Sequence, residues 1–133
     1  MPDFKQVTED FSVAPQPAPA DLAAAAAQGF GRVINNRPDG EEPGQPSSDE
    51  MARAAQATGL DYVHIPIRGG PTAEQAQAVA EAAAGARTLA FCRSGTRSIA
   101  AWSVGQALQG CSRDELIALC AAAGYDMSGL LRG

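Results

Sequence analysis

The segment Leu89-Ala-Phe-Cys-Arg-Ser-Gly-Thr-Arg-Ser98 constrains the fold of this chain more than any other. It begins as a short apolar run, which predicts a buried strand, and continues into Ser98–Leu108, whose apolar residues have helical spacing. A loop that leaves a strand and enters a helix collects backbone N–H groups without partners, and the helix dipole adds partial positive charge. The segment therefore predicts an anion-binding loop with a cysteine at its start.

Cys92 is the candidate nucleophile, because a cysteine near a helix N-terminus and beside arginine favours the thiolate. Arg97 is spaced to bind an oxyanion through two parallel N–H groups, and Ser98 is predicted to donate a hydrogen bond to the sulfur. An ordinary buried cysteine that ends a strand is the alternative, but it does not explain the arginines around the loop. The intervening residues complete the predicted anion site: Arg93, Ser94, Gly95 and Thr96.

Capping and turn signals predict alternating strands and helices along the chain. A small hairpin or a pair of edge strands is expected within Phe4–Val13. Further strands are expected at Phe30–Asn35, Tyr62–Ile67 and Thr88–Phe91, and helices at Ala18–Gln28, Ser48–Thr58, Thr72–Ala84, Ser98–Leu108 and Ser112–Ala123. This order predicts one α/β domain over residues 1–133, with a mostly parallel central sheet flanked by helices. The tail from Gly124 to Gly133 is expected to pack loosely.

Charge and composition exclude several classes of protein. The net charge of −5 argues against a nucleic-acid partner, and no apolar run approaches the roughly 18 residues of a membrane span. The N-terminal residues do not form a signal-peptide pattern, so a cytoplasmic location is expected. The three cysteines have no metal-type spacing, and no metal or cofactor is predicted. Cys111 and Cys120 fit helix packing, with a resolving thiol as the alternative for either.

A long loop, Asn36–Pro46, leaves the predicted strand that ends at Asn35 and is a candidate site-lining segment. Arg37 and Asp39 within it could pair with each other or face a substrate. A solvated connector is the equal alternative. His64 lies between two apolar residues in mid-strand, which favours a hydrogen-bonded packing role over catalysis.

Three segments occur in the order GFGRVINNRPDGEEPGQPS, YVHIPI and FCRSGTRS. With them, the chain from about Phe11 to Tyr125 resembles a bacterial family, the beta-lactamase-hydrolase-like, dual-specificity-phosphatase-like domain, which occurs alone or fused to a persulfide-dioxygenase metallohydrolase. The resemblance implies a three-layer, protein-tyrosine-phosphatase-like α/β fold with Cys92 as nucleophile and Arg97 as anion binder. It also raises a persulfide dioxygenase as a partner.

The chain departs from protein tyrosine and dual-specificity phosphatases in two respects. Those enzymes place five residues between cysteine and arginine, whereas four lie between Cys92 and Arg97, as in the active loop of rhodanese sulfurtransferases. One residue fewer shortens the loop by roughly 3.3–3.6 Å. Phosphatases of this fold also carry a general-acid aspartate in the loop matching Arg68–Pro71, which has no acid here. Asp39 could supply an acid from the other loop.

These departures predict a cysteine-dependent sulfurtransferase. Cys92 would take sulfane sulfur from a small anionic donor, such as thiosulfate or a persulfide, and pass it from a Cys92 persulfide to an acceptor thiol. Hydrolysis of phosphoesters through a phosphocysteine is the alternative. A module that binds anions or senses persulfides without turnover is the third interpretation.

Overall fold

The computed structural model describes residues 3–132. Its strands are β1 Lys5–Thr8, β2 Phe11–Ala14, β3 Arg32–Asn35, β4 Asp61–His64 and β5 Thr88–Phe91. Its helices are α1 Asp21–Ala27, α2 Ser48–Ala57, α3 Ala73–Ala83, α4 Thr96–Leu108, α5 Arg113–Ala122 and α6 Ser128–Arg132. The predicted α/β fold is confirmed.

The five strands form one sheet in the order β1-β2-β5-β3-β4. β1 and β2 are antiparallel, as the predicted hairpin requires, and the other neighbouring strands are parallel. β5 is therefore the central strand, between β2 and β3. Because the carboxyl ends of parallel strands meet at one edge, the segments after β2, β3 and β5 converge where Cys92 follows β5.

Helices cover both faces of the sheet and form two apolar cores. On one face, α1 and α2 pack against side chains of β3 and β5; on the other, α3, α4, α5 and α6 pack against alternate residues of the same strands. Trp102 is buried and stacks on Phe11 with ring centroids 4.9 Å apart, as expected for a core residue. The approach of α3 to α4 requires Gly105, since a Cβ there would lie 2.4 Å from the carbonyl oxygen of Ala76.

The structure differs from the prediction at several element ends: α1 begins at Asp21 rather than Ala18, β3 at Arg32 rather than Phe30, and β4 ends at His64 rather than Ile67. Two further differences concern α4 and the C-terminal segment. α4 begins at Thr96, two residues earlier than predicted, because Gly95 adopts a left-handed conformation with φ of 91° and ends the loop. Arg97 consequently lies in the first helical turn. The C-terminal segment is packed rather than loose: Met127 and Leu131 are buried. A five-residue helix such as α6 is too short to leave a periodic pattern in the sequence.

Candidate active site

The thiol of Cys92 lies at the carboxyl end of the central strand and is buried. The backbone N–H of Gly95 donates a hydrogen bond to its sulfur over 3.1 Å. The positive φ of Gly95 turns the chain so that this N–H points back at the sulfur and α4 can begin at the next residue. The loop is thus shaped around Cys92.

Further N–H groups surround the loop. Within residues 3–132, the backbone amides of Arg93, Ser94, Arg97 and Ser98 have no protein acceptor. The hydroxyl of Ser94 donates a hydrogen bond to the hydroxyl of Thr96 over 3.0 Å. Arg93 extends into solvent with 69% of its side chain exposed. Free amides at a helix N-terminus favour a bound anion. The predicted anion site, which comprises Arg93, Ser94, Gly95, Thr96 and Arg97, is therefore chemically suited to that role.

Arg97 contacts a residue that the sequence did not single out. Its Nη1 and Nη2 donate to the two carboxylate oxygens of Glu41, each over 2.8 Å, and Nη1 also donates to the carbonyl of Ile67 over 2.8 Å. The pKa of Arg97 is raised, chiefly by the hydrogen bonds to Glu41 and further by the neighbouring sulfur of Cys92. The guanidinium is therefore held by the carboxylate of Glu41 in the loop after β3 and by the backbone carbonyl of Ile67 after β4.

Arg37 lies behind this pair and is almost wholly buried, with 1% of its side chain exposed. It donates from Nε to Glu41 over 3.0 Å, from Nη2 to Glu42 over 2.8 Å and from Nη1 to Gln16 over 3.2 Å. Hydrogen bonds from Arg97, and then from Arg37, lower the pKa of Glu41 from 4.5 to about 2. Glu41 is consequently an anion near neutral pH.

The prediction that Ser98 serves the sulfur is wrong in this structure. Its buried hydroxyl donates to the side-chain oxygen of Asn36 over 2.8 Å, and Asn36 in turn donates to the carbonyl of Ile65 over 2.9 Å. A hydroxyl has one proton to give. Ser98 therefore ties the start of α4 to the segment after β3 and leaves Cys92 to the Gly95 amide.

The loop after β3 lines the site, although not through a pair of Arg37 with Asp39. The carboxylate of Asp39 instead accepts a hydrogen bond from the backbone N–H of Ser48 over 2.7 Å, at the start of α2. A carboxylate at a helix N-terminus satisfies a backbone N–H that has no partner within the helix. Asp39 therefore has a capping contact in place of one that would support general-acid catalysis.

Two of the remaining candidates, His64 and Cys120, have packing roles. His64 places Nε2 2.9 Å from the carbonyl oxygen of Arg37, which confirms a hydrogen-bonded histidine. Cys120 is buried in α5, where burial raises the pKa of its thiol to about 11, so it is a poor resolving thiol. Cys111 is exposed in the turn between α4 and α5.

Tyr125, which lies in the C-terminal segment, contacts the Cys92 loop. Its hydroxyl donates to the carbonyl of Ser94 over 2.8 Å. Burial raises the pKa of Tyr125, and the neighbouring Cys92 adds to that rise. Nothing in the sequence signals this contact, whereas the RPDGEE motif offered a signal for Glu41: an acid close to an arginine in a loop already assigned to the site.

Comparison with known proteins places this fold and this loop in one family. Residues 3–109 match the family described as the beta-lactamase hydrolase-like protein, phosphatase-like domain. The chain belongs to this family. A beta-lactamase hydrolase-like protein of Agrobacterium fabrum is 42% identical over 111 residues, which are 79% of this chain and 25% of that protein. The chain thus spans about a quarter of this relative.

Solved structures share the fold. A putative phosphatase from Neisseria meningitidis superimposes with a TM-score of 0.83 and 27% identity, over 96% of this chain and 92% of that one. Tk-PTP in its active form gives a TM-score of 0.70 at 24% identity, over 94% and 87%, which shows the fold alone. The protein-tyrosine-phosphatase-like fold is confirmed. These comparisons favour the phosphatase alternative over the sulfurtransferase prediction, which none of them supports.

Within residues 3–132, every helix is too short or too polar to cross a membrane.

Proposed function

We propose that this domain is a cysteine-dependent phosphatase acting on phosphomonoesters with good leaving groups, aryl phosphates foremost. The observation that carries the proposal is the arrangement around Cys92: a thiol at the end of β5, free loop amides, and Arg97 in the first turn of α4. Membership of the phosphatase-like family and the likeness to the putative phosphatase of Neisseria meningitidis support it.

In the first step, the Cys92 thiolate attacks phosphorus in line with the ester oxygen. A sulfur–phosphorus bond forms, the phosphorus–oxygen bond breaks, and its electron pair leaves with the ester oxygen. The loop amides and Arg97 stabilise the charge that builds on the phosphoryl oxygens. In the second step, water attacks phosphorus, the sulfur–phosphorus bond breaks, and inorganic phosphate and the thiolate are released with one proton.

Leaving-group chemistry limits the substrates. Within the described residues, the loop after β4 carries no acid, Glu41 is ionised by its two arginines, and Asp39 accepts from Ser48 at the start of α2. General-acid catalysis contributes roughly 10²–10⁴-fold, so alkyl phosphates would lose that factor. A phenolate leaves without a proton, which favours aryl phosphates and phosphotyrosine-like groups.

Sulfur transfer is the second candidate, favoured by the four residues between Cys92 and Arg97. This loop is one residue shorter than in the phosphatases described above, and transfer of a sulfane sulfur needs no acid for its leaving group. The Cys92 thiolate would attack the outer sulfur of thiosulfate, and sulfite would leave with the electron pair of the broken sulfur–sulfur bond.

A parallel assay separates the two reactions. Wild type, Cys92→Ser and the control Cys111→Ser are each tested for aryl phosphate hydrolysis, for thiosulfate:cyanide transfer, and by mass spectrometry after exposure to thiosulfate. The proposal requires hydrolysis in wild type and Cys111→Ser that is lost in Cys92→Ser. Uptake of sulfur on Cys92 without hydrolysis would refute the phosphatase and support the sulfurtransferase. Tight phosphate binding with neither reaction would support the anion-binding module.

A further inference from the structure

The peptide group between Ser94 and Gly95 is held at both of its polar atoms. Its carbonyl accepts a hydrogen bond from the hydroxyl of Tyr125 over 2.8 Å, and its N–H donates to the sulfur of Cys92 over 3.1 Å. In a trans peptide, the C=O and the N–H point in opposite directions. A donor that holds the carbonyl on the outside of the loop therefore also directs the N–H towards the sulfur on the inside.

Gly95 permits this orientation of its N–H but does not impose it. Its φ is +91°, and a glycine adopts a negative φ about as readily. Reversal of the Ser94–Gly95 peptide would therefore cost the backbone little. It would place a carbonyl oxygen, with its partial negative charge, opposite the sulfur of Cys92 and would disfavour both a thiolate and a bound anion. The hydroxyl of Tyr125 holds the peptide against that reversal.

The preceding peptide of the loop, between Arg93 and Ser94, is fixed in the same sense. Its carbonyl accepts a hydrogen bond from the backbone N–H of Gln16, in the segment after β2, over 3.2 Å. The N–H of Ser94 consequently points into the loop, where it has no acceptor among residues 3–132. A backbone donor holds this peptide, whereas the peptide before Gly95 depends on the hydroxyl of one side chain.

The end of α5 determines where that hydroxyl lies. The chain turns back at Gly124, whose φ is +100°. The backbone N–H of Tyr125 then donates to the carbonyl of Cys120 over 2.9 Å, which is the bond that closes a glycine-ended helix cap. Burial, and then the neighbouring Cys92, raise the pKa of Tyr125, so its hydroxyl remains a donor near neutral pH. The position of the tyrosine is thus set by the backbone of α5.

We propose that Tyr125 is a positioning residue: by holding the carbonyl of Ser94, its hydroxyl directs the next backbone N–H at the Cys92 thiolate and at a bound oxyanion. Tyr125 acts through that peptide rather than on the substrate. It lies beyond residues 3–109, the part of the chain that matches the family, so membership of the family assigns it no role. This inference rests on the anion-binding part of the proposed function and deepens it.

Tyr125→Phe tests the proposal, with Tyr62→Phe as the matched control. These are the two tyrosines of the chain, and each substitution removes one hydroxyl and keeps the ring. The hydroxyl of Tyr62 accepts from Asn35 over 3.0 Å and forms a hydrogen bond with the hydroxyl of Ser48 over 2.7 Å, outside the Cys92 loop. Loss of hydrogen bonds alone would lower the free energy of unfolding in both variants, whereas loss of positioning alters the reactivity of Cys92 in Tyr125→Phe alone.

The first readout is the pH dependence of Cys92 alkylation by iodoacetamide. In Tyr125→Phe, the pH of half-maximal rate should rise by about 0.4–1 unit, because a hydrogen bond can shift the orientation of a peptide by no more than its own strength. Tyr62→Phe should match wild type. Arg97 and Tyr125, which the charge of Cys92 affects, have pKa values raised above 12.5 and 10.0, so neither titrates in the range of the measurement.

The second readout is the concentration of inorganic phosphate that protects Cys92 from alkylation, which requires no catalytic activity. Tyr125→Phe should need about two- to tenfold more phosphate than wild type, and Tyr62→Phe should need the same amount as wild type. An unchanged pH profile or unchanged protection in Tyr125→Phe would overturn the proposal. So would equal changes in the two variants.

A double-mutant cycle distinguishes positioning from a general effect on the fold. A Cβ at Gly95 would collide with the hydroxyl of Tyr125, so Gly95→Ala already displaces it. Tyr125→Phe should therefore change the pH profile little in the Gly95→Ala background, whereas a general loss of stability would remain additive. If Gly95→Ala does not fold, Tyr125→Phe against Tyr62→Phe still decides, since neither variant adds an atom to the loop.

The two readouts also separate this proposal from the phosphatase. A shifted pH profile and weaker protection in Tyr125→Phe, with no hydrolysis of aryl phosphate by wild type, would refute the phosphatase and leave the role of Tyr125 intact. Hydrolysis by wild type, with the same profile and protection in wild type and Tyr125→Phe, would do the reverse.

Discussion

Substitution of Gly95 by alanine should destabilise the loop around Cys92 through two separate effects. The φ of Gly95 is +91°, a conformation that costs a residue with a Cβ about 1–2 kcal/mol. The new Cβ would also lie 2.3 Å from the hydroxyl of Tyr125 and 3.1 Å from its Cζ. Tyr125 must therefore move and give up its hydrogen bond to Ser94, which adds about 0.5–1.5 kcal/mol.

The control for this substitution is Gly110→Ala. Gly110 has a φ of +99°, but a Cβ added there would meet nothing within 4 Å, so the variant bears the backbone strain without the collision. Urea denaturation should give a free energy of unfolding lower by about 1.5–3.5 kcal/mol for Gly95→Ala and by about 1–2 kcal/mol for Gly110→Ala. Aryl phosphate hydrolysis should fall in Gly95→Ala alone, because the Gly95 amide contacts the sulfur. Equal losses of stability would refute the role assigned to Tyr125.

Two further substitutions test the contacts of Arg97 and Ser98. Because the pKa of Glu41 is lowered from 4.5 to about 2, its ion pairs stabilise the fold above about pH 4.5 and lose that effect as the pH falls towards 2. The free energies of unfolding of wild type and Glu41→Gln, measured with urea, should therefore converge over that interval. A difference between them that persists at about pH 2 would contradict the ion-pair assignment. Ser98→Ala should lower the free energy of unfolding by about 1–3 kcal/mol, since it leaves the buried oxygen of Asn36 without its donor, while the rate of Cys92 alkylation stays near that of wild type. A large change in that rate with unaltered stability would return Ser98 to the sulfur.

The sequence predicted those features that depend on neighbours along the chain. Capping boxes at Ser47 and Thr72 indicated where α2 and α3 begin, and the order of strands and helices was enough for a mostly parallel sheet. The Cys92 loop was identified because its nucleophile, glycine and arginine all lie within a few residues of each other. Local signals of this kind need no knowledge of the tertiary structure.

The contacts that determine the chemistry are between residues far apart in sequence, and there the sequence was insufficient. Arg97 meets Glu41, Ser98 meets Asn36, and Tyr125 meets Ser94. The first two pairs are brought together by strand order, with the segments after β3 and β5 side by side at one edge of the sheet. Polar residues such as Ser98 have several chemically reasonable partners, and only the register of β3 against β5 decides between them.

The central position of β5 also governs when the site can exist during synthesis. Phe11 pairs in register with Thr88, so the hairpin made first must wait for nearly the whole sheet to leave the ribosome before its partner arrives. Even then Ser94 lacks Tyr125, which is made later still. A nascent chain that ends within α4 therefore carries the thiol of Cys92 without the hydrogen bond that Tyr125 donates to its loop. The loop around the thiol is completed only after its own segment has been synthesised.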